Sequence, residues 1–389
     1  MSTRDFATDY SGLCEFYKGK KVFITGHTGF KGTWMTHLLL HLGAEVVGYS
    51  LPAPTVPSLY ELDDRSRYEQ KGLFRSVTGD IRDLSELSGV VREERPDVLF
   101  HLAAQPIVRD SYRDPVYTYE TNVMGTVNFL ESVRLAVREG QLPLSVVVIT
   151  TDKVYKNEEL TDHGFREEEP LDGFDPYSNS KSCAELAVHS YRSSFFSKEG
   201  GWIVPISTVR AGNVIGGGDF ANDRIIPDCV RTLEQAVREK AAEAVISVRN
   251  PYSTRPYQHV LEPLVMYLSL AAAQAKDPMV ADWYNVGPDD MDCVTTGELV
   301  TLFCQEWNEM RNGLPEARWE DRAEKNAPHE AGFLKLDSSK IKRVLGYRPQ
   351  WHIAECMKKT AEFSKVYITD KQEIAGEMDR QIRAFFGIK

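Results

Sequence analysis

A glycine-rich turn near the start of the chain restricts the possible fold more than any other feature. The turn, Gly26-His-Thr-Gly29-Phe-Lys-Gly32, follows an apolar run at 20–25 that predicts a short buried strand. It opens a segment, 30–42, whose apolar residues recur at helical spacing. Glycines let a backbone approach a diphosphate closely, and a helix N-terminus offers it free N–H groups. The turn therefore predicts dinucleotide binding, although its spacing is GxxGxxG instead of GxGxxG.

Strand and helix patterns alternate through the first two hundred residues. Further strands are predicted at 45–49, 73–78, 97–102 and 146–150, and helices at 83–94 and 115–138. Such alternation is typical of a parallel sheet that is covered on both faces and binds ligands at the C-terminal ends of its strands. We therefore predict an α/β fold: a doubly wound parallel sheet of the Rossmann type with a smaller α/β substrate-binding lobe.

The pattern changes after a predicted strand at 202–210, where glycines and prolines break up shorter elements. We predict a dinucleotide-binding domain over 17–206 and about 252–285, and a substrate-binding lobe over 207–251 and 286–367. Residues 1–16 and 368–389 are predicted to be peripheral terminal extensions. The acidic run 167–169 is predicted to be a solvated loop.

Charge and composition exclude several classes of function. A net charge of −11 argues against a nucleic-acid partner, because phosphate backbones favour basic surfaces. The segment 1–17 lacks the apolar core of a signal peptide, and no apolar run is long enough to span a bilayer. Six cysteines and nine histidines show no metal-binding spacing, which predicts reduced thiols and no metal site. The sequence thus predicts a cytoplasmic enzyme without membrane partners.

A tyrosine and a lysine four residues apart, Tyr177 and Lys181, are expected on one face of a helix. The ammonium group can lower the phenol pKa from its free value of ~10, so that Tyr177 accepts a proton as hydride leaves a substrate carbon. This pair is common on solvated helix faces, but its distance from the glycine turn favours catalysis. The segment Thr151-Asp152-Lys153 follows a predicted strand and adds acid and base groups that simple oxidation does not need.

The chain resembles the extended short-chain dehydrogenase/reductases, and among them the nucleotide-sugar 4,6-dehydratases that act on CDP-glucose. The resemblance covers about 17–365 and rests on GHTGFKG (26–32), GDIRD (79–83), HLAAQP (101–106), TNVMGT (121–126), TDK (151–153), DPYSNSK (175–181), RAGNVIGGGD (210–219) and RPYQHV (255–260). The form of the glycine turn and the Asp152-Lys153 pair are specific to this branch. The other motifs are shared with many nucleotide-sugar enzymes.

The resemblance implies a three-stage reaction. Tyr177, assisted by Lys181, removes the proton of the sugar 4-hydroxyl while hydride passes from C4 to NAD, and Thr151 hydrogen-bonds that oxygen. The 4-keto group acidifies the C5 proton, and Asp152 is the candidate acid for the departing 6-hydroxyl. Hydride then returns to C6, which gives CDP-4-keto-6-deoxyglucose, a precursor for deoxysugars such as those of the lipopolysaccharide O-antigen.

The role of Lys153 remains open between alternatives. In the related dTDP-glucose dehydratases a glutamate stands here and serves as the C5 base. Lys153 can act in the same way only if it is neutral. As a charged group it would instead stabilise the developing enolate, or form a structural salt bridge.

The expected cofactor is NAD. No acidic residue ends the second predicted strand, where Tyr49-Ser50-Leu51 stands, and no basic residue follows to hold a 2′-phosphate. Asp80 is expected at the adenine edge, or else as the cap of the next helix. The resemblance implies that the cofactor contacts Gly26, His27, Thr28, Gly29, Phe30, Lys31, Gly32, Asp80, Ile81, Leu102, Ala103, Ala104, Tyr177 and Lys181.

Substrate contacts are expected from polar and basic groups further along the chain. Bidentate guanidinium groups suit a diphosphate, and small residues let it approach the backbone. His259 is expected to touch the substrate or to pack in the core, and Asn122 resembles a structural asparagine that supports the active site. The candidate substrate residues are Gln105, Asn122, Asn213, Gly218, Arg224, Arg249, Arg255 and His259.

Other functions remain possible on the sequence alone. A nucleotide-sugar 4-epimerase needs the tyrosine, the lysine and a hydroxyl, but it has no use for an Asp-Lys pair. A dehydratase of a dTDP- or GDP-linked hexose and a non-catalytic dinucleotide sensor are the remaining alternatives. Helices near 115–138 and 176–197 are expected to pair across a two-fold axis, which predicts a homodimer or a homotetramer.

Overall fold

The structure is a computed structural model, and it describes residues 8–157, 163–323 and 334–388. Parts of the predicted terminal extensions (1–7 and 389) and of the predicted substrate lobe (324–333) lie outside the described residues, as does the segment 158–162.

The strands are β1 (Lys21–Thr25), β2 (Glu45–Ser50), β3 (Phe74–Thr78), β4 (Val98–His101), β5 (Ser145–Ile149), β6 (Ile206–Ala211), β7 (Val214–Ile215), β8 (Glu243–Val248), β9 (Thr254–Pro256), β10 (Gln258–His259), β11 (Trp283–Val286), β12 (Cys293–Thr295) and β13 (Glu316–Asp321). The α-helices are α1 (Tyr10–Tyr17), α2 (Phe30–His41), α3 (Leu59–Leu62), α4 (Ser66–Glu69), α5 (Leu84–Glu94), α6 (Val108–Arg113), α7 (Pro115–Tyr119), α8 (Gly125–Arg138), α9 (Pro176–Ser194), α10 (Ile225–Glu239), α11 (Leu261–Lys276), α12 (Thr296–Met310), α13 (Ser339–Leu345), α14 (Ile353–Thr369) and α15 (Ile374–Phe386).

A seven-stranded parallel sheet organises the fold, in the order β11-β6-β5-β4-β1-β2-β3. The strand order reverses at β1, which pairs with β2 on one side and β4 on the other. In doubly wound sheets, ligands bind in the crevice at such a reversal, beyond the C-terminal ends of the strands. The predicted fold class is confirmed.

Two apolar layers cover the faces of this sheet because successive side chains of a strand point to opposite faces. In β1, Val22 and Ile24 pack with residues of α2 and α11, whereas Phe23 packs with residues of α5 and α8. A smaller parallel pair, β8 with β13, packs against α10 and α12. The sheet therefore holds the C-terminal ends of β1, β4 and β5 in one fixed crevice.

The structure departs from the predicted elements in three places. The helix predicted at 115–138 is divided into α7 and α8 by a π-helical turn at Glu120–Met124. The predicted peripheral termini instead reach the core, where Leu13 and Ile382 are fully buried. The acidic run 167–169 is a loop as predicted, but Glu167 is buried while Glu168 is exposed. The division into two lobes stays a prediction.

None of the helices in the described ranges is both long enough and apolar enough to cross a membrane.

Candidate active site

A cavity of about 350 Å³ lies beside the glycine turn, where the sheet meets the segments that follow β6. Four of the five predicted catalytic residues line it, and so do two residues of the turn, Phe30 and Lys31. The four catalytic residues in the wall are Thr151, Asp152, Lys153 and Tyr177. Residues more than a hundred positions apart in sequence therefore meet around one space that can hold a substrate.

Tyr177, Thr151 and Asp152 lie together at the end of β5. The Thr151 hydroxyl donates to Oδ1 of Asp152 at 3.0 Å. Burial raises the pKa of the Tyr177 phenol, and the neighbouring Thr151 hydroxyl opposes that rise. The side chain of Asp175 caps α9 by accepting from the backbone N–H of Ser178, which fixes the helix start one residue before Tyr177. Local capping thus places the phenol against the end of β5.

The electrostatics of the tyrosine–lysine pair differ from the sequence prediction. Burial raises the pKa of Tyr177 to about 12, so the predicted lowering by Lys181 is wrong for this structure. Burial, followed by the positive charge of Lys31, lowers the pKa of Lys181 to about 7. The Lys181 ammonium donates to the backbone carbonyl of Ile149 at 3.4 Å. Desolvation therefore favours the neutral form of both groups.

Asp152 and Lys153 form an ion pair on the cavity wall. Nζ of Lys153 lies 3.6 Å from Oδ1 of Asp152. The carboxylate is almost completely buried, while 29% of the Lys153 side chain is exposed. Oδ2 of Asp152 has no hydrogen-bond partner within the described ranges. A buried carboxylate oxygen with unused hydrogen-bonding capacity is suited to exchange a proton with a ligand.

The glycine turn forms a cradle in which Gly26 and Gly32 leave no room for a side chain. A Cβ atom at Gly26, whose φ is +79°, would lie 2.7 Å from the backbone nitrogen of Ala103, and one at Gly32 would lie 2.1 Å from the carbonyl oxygen of Gly26. Gly29 is the N-cap of α2 and supplies no side-chain cap, so backbone N–H groups of the first turn are left for a ligand. This arrangement fits a dinucleotide diphosphate.

Alanine substitutions at two glycines of this turn are expected to differ in their effect on the stability of the fold. Gly32→Ala should lower the melting temperature markedly, because its Cβ would overlap the Gly26 carbonyl oxygen. Gly29→Ala is the matched control, since the nearest atom to its Cβ lies at 3.5 Å. Thermal unfolding without added nucleotide measures the difference. Equal melting temperatures for the two variants would contradict this account of the turn.

The remaining predicted cofactor residues fall into two groups. Leu102, Ala103 and Ala104 follow β4 directly, and the backbone of Ala103 abuts Gly26 at the point where the strand order reverses. Ile81 is buried, and its side chain occupies the position where a Cβ of Gly125 would lie. Asp80 is paired with Arg82, and α5 is capped by Asp83, so the alternative that Asp80 caps this helix is wrong.

The side chains of His27 and Thr28 serve the fold and do not line the cavity. His27 is completely buried beside Gly48, with Nε2 2.8 Å from the Ser76 hydroxyl. Burial, aided by Arg65, lowers the pKa of His27 to about 4. The Thr28 hydroxyl donates to the carbonyl of Leu51 at 3.0 Å. The buried His27 side chain is thus engaged within the fold, and the contact of His27 with the cofactor stays a prediction.

Gln105 and Asn122 were predicted to bind substrate, but they bond to each other. Asn122 accepts from the Gln105 N–H at 2.8 Å and donates to its carbonyl at 3.1 Å. Its amide also donates to the hydroxyl of Ser180, between the two catalytic residues of α9, at 2.9 Å. The Gln105 amide donates to Thr118 at 2.9 Å. These contacts give the two side chains a supporting role, as the structural interpretation of Asn122 implies, and their assignment to substrate stays a prediction.

The substrate assignments of Gly218 and His259 are corrected, because both pack inside the protein. A Cβ at Gly218, whose φ is +87°, would lie 2.6 Å from Cδ1 of Leu59, so its small size serves packing and not diphosphate access. His259 is fully buried with its ring edge-to-face against Trp34 and Trp351. Burial lowers its pKa to about 3, and it does not line the cavity. His259 is a core residue.

Asn213 and the three predicted arginines line the cavity. Nη1 of Arg224 lies 2.9 Å from Oδ2 of Asp219, and Arg249 pairs with Asp223 and Asp228 at 2.8 and 3.1 Å. Arg255 donates to the carbonyl of Thr254 at 2.9 Å. These guanidinium groups form the positive part of the wall, partly balanced by carboxylates.

Arg109 is among the cavity-wall residues that sequence reasoning missed, and Tyr257, which lies in one of the motifs, also lines the wall. Nη1 of Arg109 lies 3.6 Å from Oδ1 of Asp223, which also pairs with Arg249. The Tyr257 hydroxyl lies 3.0 Å from the Thr296 hydroxyl. The one available signal for Arg109 was its place after β4, at the ligand-binding edge of the sheet.

The fold and the site define an enzyme of the extended short-chain dehydrogenase/reductase class. The family described as GDP-mannose 4,6 dehydratase matches residues 23–360. The chain is 43% identical over 380 residues to the CDP-glucose 4,6-dehydratase of Salmonella typhimurium, covering 95% of this chain and 99% of that protein. It therefore belongs to this family of nucleotide-sugar dehydratases.

More distant similarities extend over most of the chain. The dTDP-glucose 4,6-dehydratase of Neisseria gonorrhoeae is 26% identical, over 89% of this chain and 96% of that protein. Among solved structures, the epimerase Mth375 of Methanothermobacter thermautotrophicus shares the fold with a TM-score of 0.73 at 20% identity, covering 92% and 96% of the two chains.

Proposed function

We propose that this protein is an NAD-dependent hydro-lyase that converts CDP-glucose to CDP-4-keto-6-deoxyglucose. The observation that carries the proposal is the Asp152–Lys153 ion pair beside Tyr177 in one cavity. Oxidation and re-reduction at C4 need only the tyrosine, lysine and threonine. A buried carboxylate next to them supplies the proton transfer that water loss requires. The similarity to the Salmonella CDP-glucose 4,6-dehydratase supports the same substrate.

The cradle of Gly26, Gly29 and Gly32 and the uncapped start of α2 support NAD as the cofactor. When bound there, NAD accepts a hydride from C4 of the sugar and returns it to C6. The absence of a basic group next to Ser50 supports NAD over NADP, because a 2′-phosphate needs such a partner. The hydroxyl of Ser50 lies 2.9 Å from that of Thr28, which keeps the end of β2 close to the turn.

The residues of the cavity can perform each proton transfer. Tyr177 accepts the 4-hydroxyl proton in its phenolate form, which the Thr151 hydroxyl and a charged Lys181 ammonium would stabilise against the effect of burial. Once the 4-keto group has formed, the C5 proton is acidic, and Asp152 and Lys153 in the cavity wall are the groups assigned to the C5–C6 bond. In its protonated form, Asp152 gives a proton to the departing 6-hydroxyl and is left as the carboxylate that pairs with Lys153. The positive charge of Lys153 stabilises the enolate, or its neutral form removes the C5 proton.

Arginine in place of Lys153 should separate these two roles. An arginine keeps the charge but cannot lose its proton, so Lys153→Arg retains C5 exchange if the residue acts as an electrostatic stabiliser. If Lys153 is the base, the variant should lose exchange by about 10²- to 10⁴-fold. Exchange of the C5 hydrogen with deuterated water, followed by NMR, measures this. Lys153→Met, which lacks both charge and base, is the reference for complete loss.

The arginines of the wall support a nucleoside diphosphate as the activating group. Arg224, Arg249 and Arg255 approach the cavity within the same segment of the chain as Tyr257, whose ring offers an apolar surface to a base or sugar. Guanidinium groups bind phosphate in a bidentate manner. The carboxylates now paired with Arg224 and Arg249 limit the net positive charge, which suits reversible binding of a dianion.

Incubation with CDP-, dTDP-, GDP- and UDP-glucose tests the proposal directly. We expect a 4-keto-6-deoxy product, seen as alkali-induced ultraviolet absorbance, to form fastest from CDP-glucose. A mixture of gluco and galacto sugars would instead identify a 4-epimerase. Faster turnover of another nucleotide sugar would identify the protein as a dehydratase of that substrate instead of CDP-glucose. Absence of any reaction would favour a dinucleotide sensor.

A homodimer or homotetramer, cytoplasmic location and a role in O-antigen deoxysugar synthesis remain predictions. Exposed apolar side chains on α7, the π-helical turn and α9 support self-association, because the exposed fraction is 66% for Val116, 51% for Met124 and 54% for Leu186. The free cysteines of the described structure suit a reducing compartment. Light scattering on the purified protein measures the oligomeric state.

A further inference from the structure

A buried carboxylate, Glu185, lies one helical turn beyond Lys181 on α9. Its Oε1 accepts a hydrogen bond from the hydroxyl of Thr150, the neighbour of the catalytic threonine. Its Oε2 accepts from the Thr208 hydroxyl at 2.7 Å and from Nη2 of Arg210 at 3.0 Å. One carboxylate therefore joins α9 to the C-terminal parts of β5 and β6.

Arg210 extends this connection to the segment after Lys153. The guanidinium is fully buried, and its Nη1 donates to the Tyr155 hydroxyl at 2.9 Å and to the Glu167 carbonyl at 3.0 Å. The Tyr155 hydroxyl in turn donates to Oδ1 of Asn285 on β11. The network thus touches the chain on both sides of the segment Thr151–Lys153.

Neither Glu185 nor Arg210 lines the cavity, and neither has a part in the reaction as proposed. We propose that their buried ion pair is a positioning unit that holds Thr151 against Tyr177, and that the Glu185 carboxylate keeps the Lys181 ammonium charged during turnover. A buried ion pair adds little stability compared with apolar side chains packed in the same volume. A role in the active site therefore explains the Glu185–Arg210 pair better than a contribution to stability does. The inference rests on the proposed function, which gives Lys181 its role.

Titratable groups face Lys181 from three elements: Lys31 on α2, Glu185 on its own helix, and His101 on β4, whose pKa burial lowers to about 3 so that it stays neutral. Burial and then Lys31 lower the pKa of Lys181, whereas Glu185 raises it. A higher pKa keeps an amine charged to higher pH, so loss of the Glu185 charge should discharge Lys181 at lower pH.

Two basic groups face Glu185 itself, namely Arg210 and His189, whose Nε2 lies 3.6 Å from Oε2 of Glu185. Burial alone would raise the pKa of Glu185, but Arg210 and the threonine hydroxyls lower it. The carboxylate is therefore charged in the range where Lys181 titrates.

The test compares Glu185→Gln with Glu185→Asp. Gln removes the charge at nearly constant size, and Asp keeps the charge on a shorter side chain. We expect both variants to unfold at lower temperature than the parent protein. For Glu185→Gln alone, the basic limb of the pH profile of kcat should move to lower pH by roughly one unit. Thr208→Val is the matched control, because it removes a hydrogen bond to Glu185 without changing the charge.

The outcomes separate this inference from the proposed function. CDP-glucose turnover by the parent protein is measured in the same series, and its absence would refute the function itself. If the parent turns over and the profiles of Glu185→Gln and Glu185→Asp coincide with it, the inference is overturned. Thr150→Val tests the positioning half independently: kcat should fall about tenfold with KM nearly unchanged, and an unchanged kcat would overturn that half.

Discussion

Phenylalanine in place of Tyr177 is expected to lower oxidation at C4 by roughly 10²- to 10⁴-fold, because the hydroxyl that accepts the substrate proton is removed. The ring itself should stay in place, since α9 is fixed by its Asp175 cap and by the packing of its buried residues. KM for the nucleotide sugar should change little, because the phenol is a small part of the binding surface. Single-turnover oxidation, followed by the near-ultraviolet absorbance of reduced nicotinamide, measures the effect.

Tyr191→Phe provides the matched control for this prediction. Tyr191 lies on the same helix, and its hydroxyl donates to Oε2 of Glu131 at 3.3 Å, away from the cavity. This variant should oxidise substrate at the parent rate. Oxidation by Tyr177→Phe at the parent rate would remove Tyr177 from the reaction.

The pKa of Tyr177 shows what the sequence could and could not predict about this site. The spacing of Tyr177 and Lys181 and the strand before Thr151 were enough to predict that these groups meet, because helix and strand geometry are local. Spacing alone does not reveal how completely a group is desolvated. Burial raises the pKa of Tyr177 and lowers that of Lys181, so each group needs a charged partner to ionise during turnover. Glu185, four residues further along α9, is such a partner for Lys181, whose pKa it raises.

The errors in the substrate list have a common physical cause. His259 and Gly218 occur in motifs that reach the cavity, but their neighbours in space come from distant parts of the chain, such as Trp34, Trp351 and Leu59. Whether a polar or small residue faces a ligand or a neighbouring side chain depends on this long-range packing. The central sheet was predictable because alternating apolar strands and helices specify it with local information.

Arg109 illustrates the opposite error, in which a site residue had no motif. It follows β4 and reaches the cavity because α6 lies over the edge of the sheet where ligands bind. The Arg109 guanidinium pairs with the carboxylate of Asp223, which also pairs with Arg249. A lone arginine outside any motif cannot be distinguished in sequence from a surface charge, so this residue could be found only after the sheet order was known.

Asparagine in place of Asp152 is expected to uncouple oxidation from water loss. The side chain keeps its shape and can still accept the hydrogen bond from Thr151, so Tyr177 should remain aligned and C4 oxidation should proceed. An amide cannot give a proton to the departing 6-hydroxyl, so formation of the 6-deoxy product should fall by about 10²- to 10⁴-fold. Reduced nicotinamide should then accumulate in single turnovers, whereas in the parent protein it is consumed again at C6.

Deuterium at C4 of CDP-glucose shows what fraction of the transferred hydride reaches C6 in each variant. The parent protein should transfer the label to the C6 methyl group of the product, and Asp152→Asn should retain it on the cofactor. Asp110→Asn, an exposed change that affects an ion pair with Arg113, should transfer the label as the parent does. Normal label transfer by Asp152→Asn would show that another group protonates the 6-hydroxyl. Loss of oxidation together with water loss would show that Asp152 also acts through Thr151, whose hydroxyl it holds by a hydrogen bond of 3.0 Å.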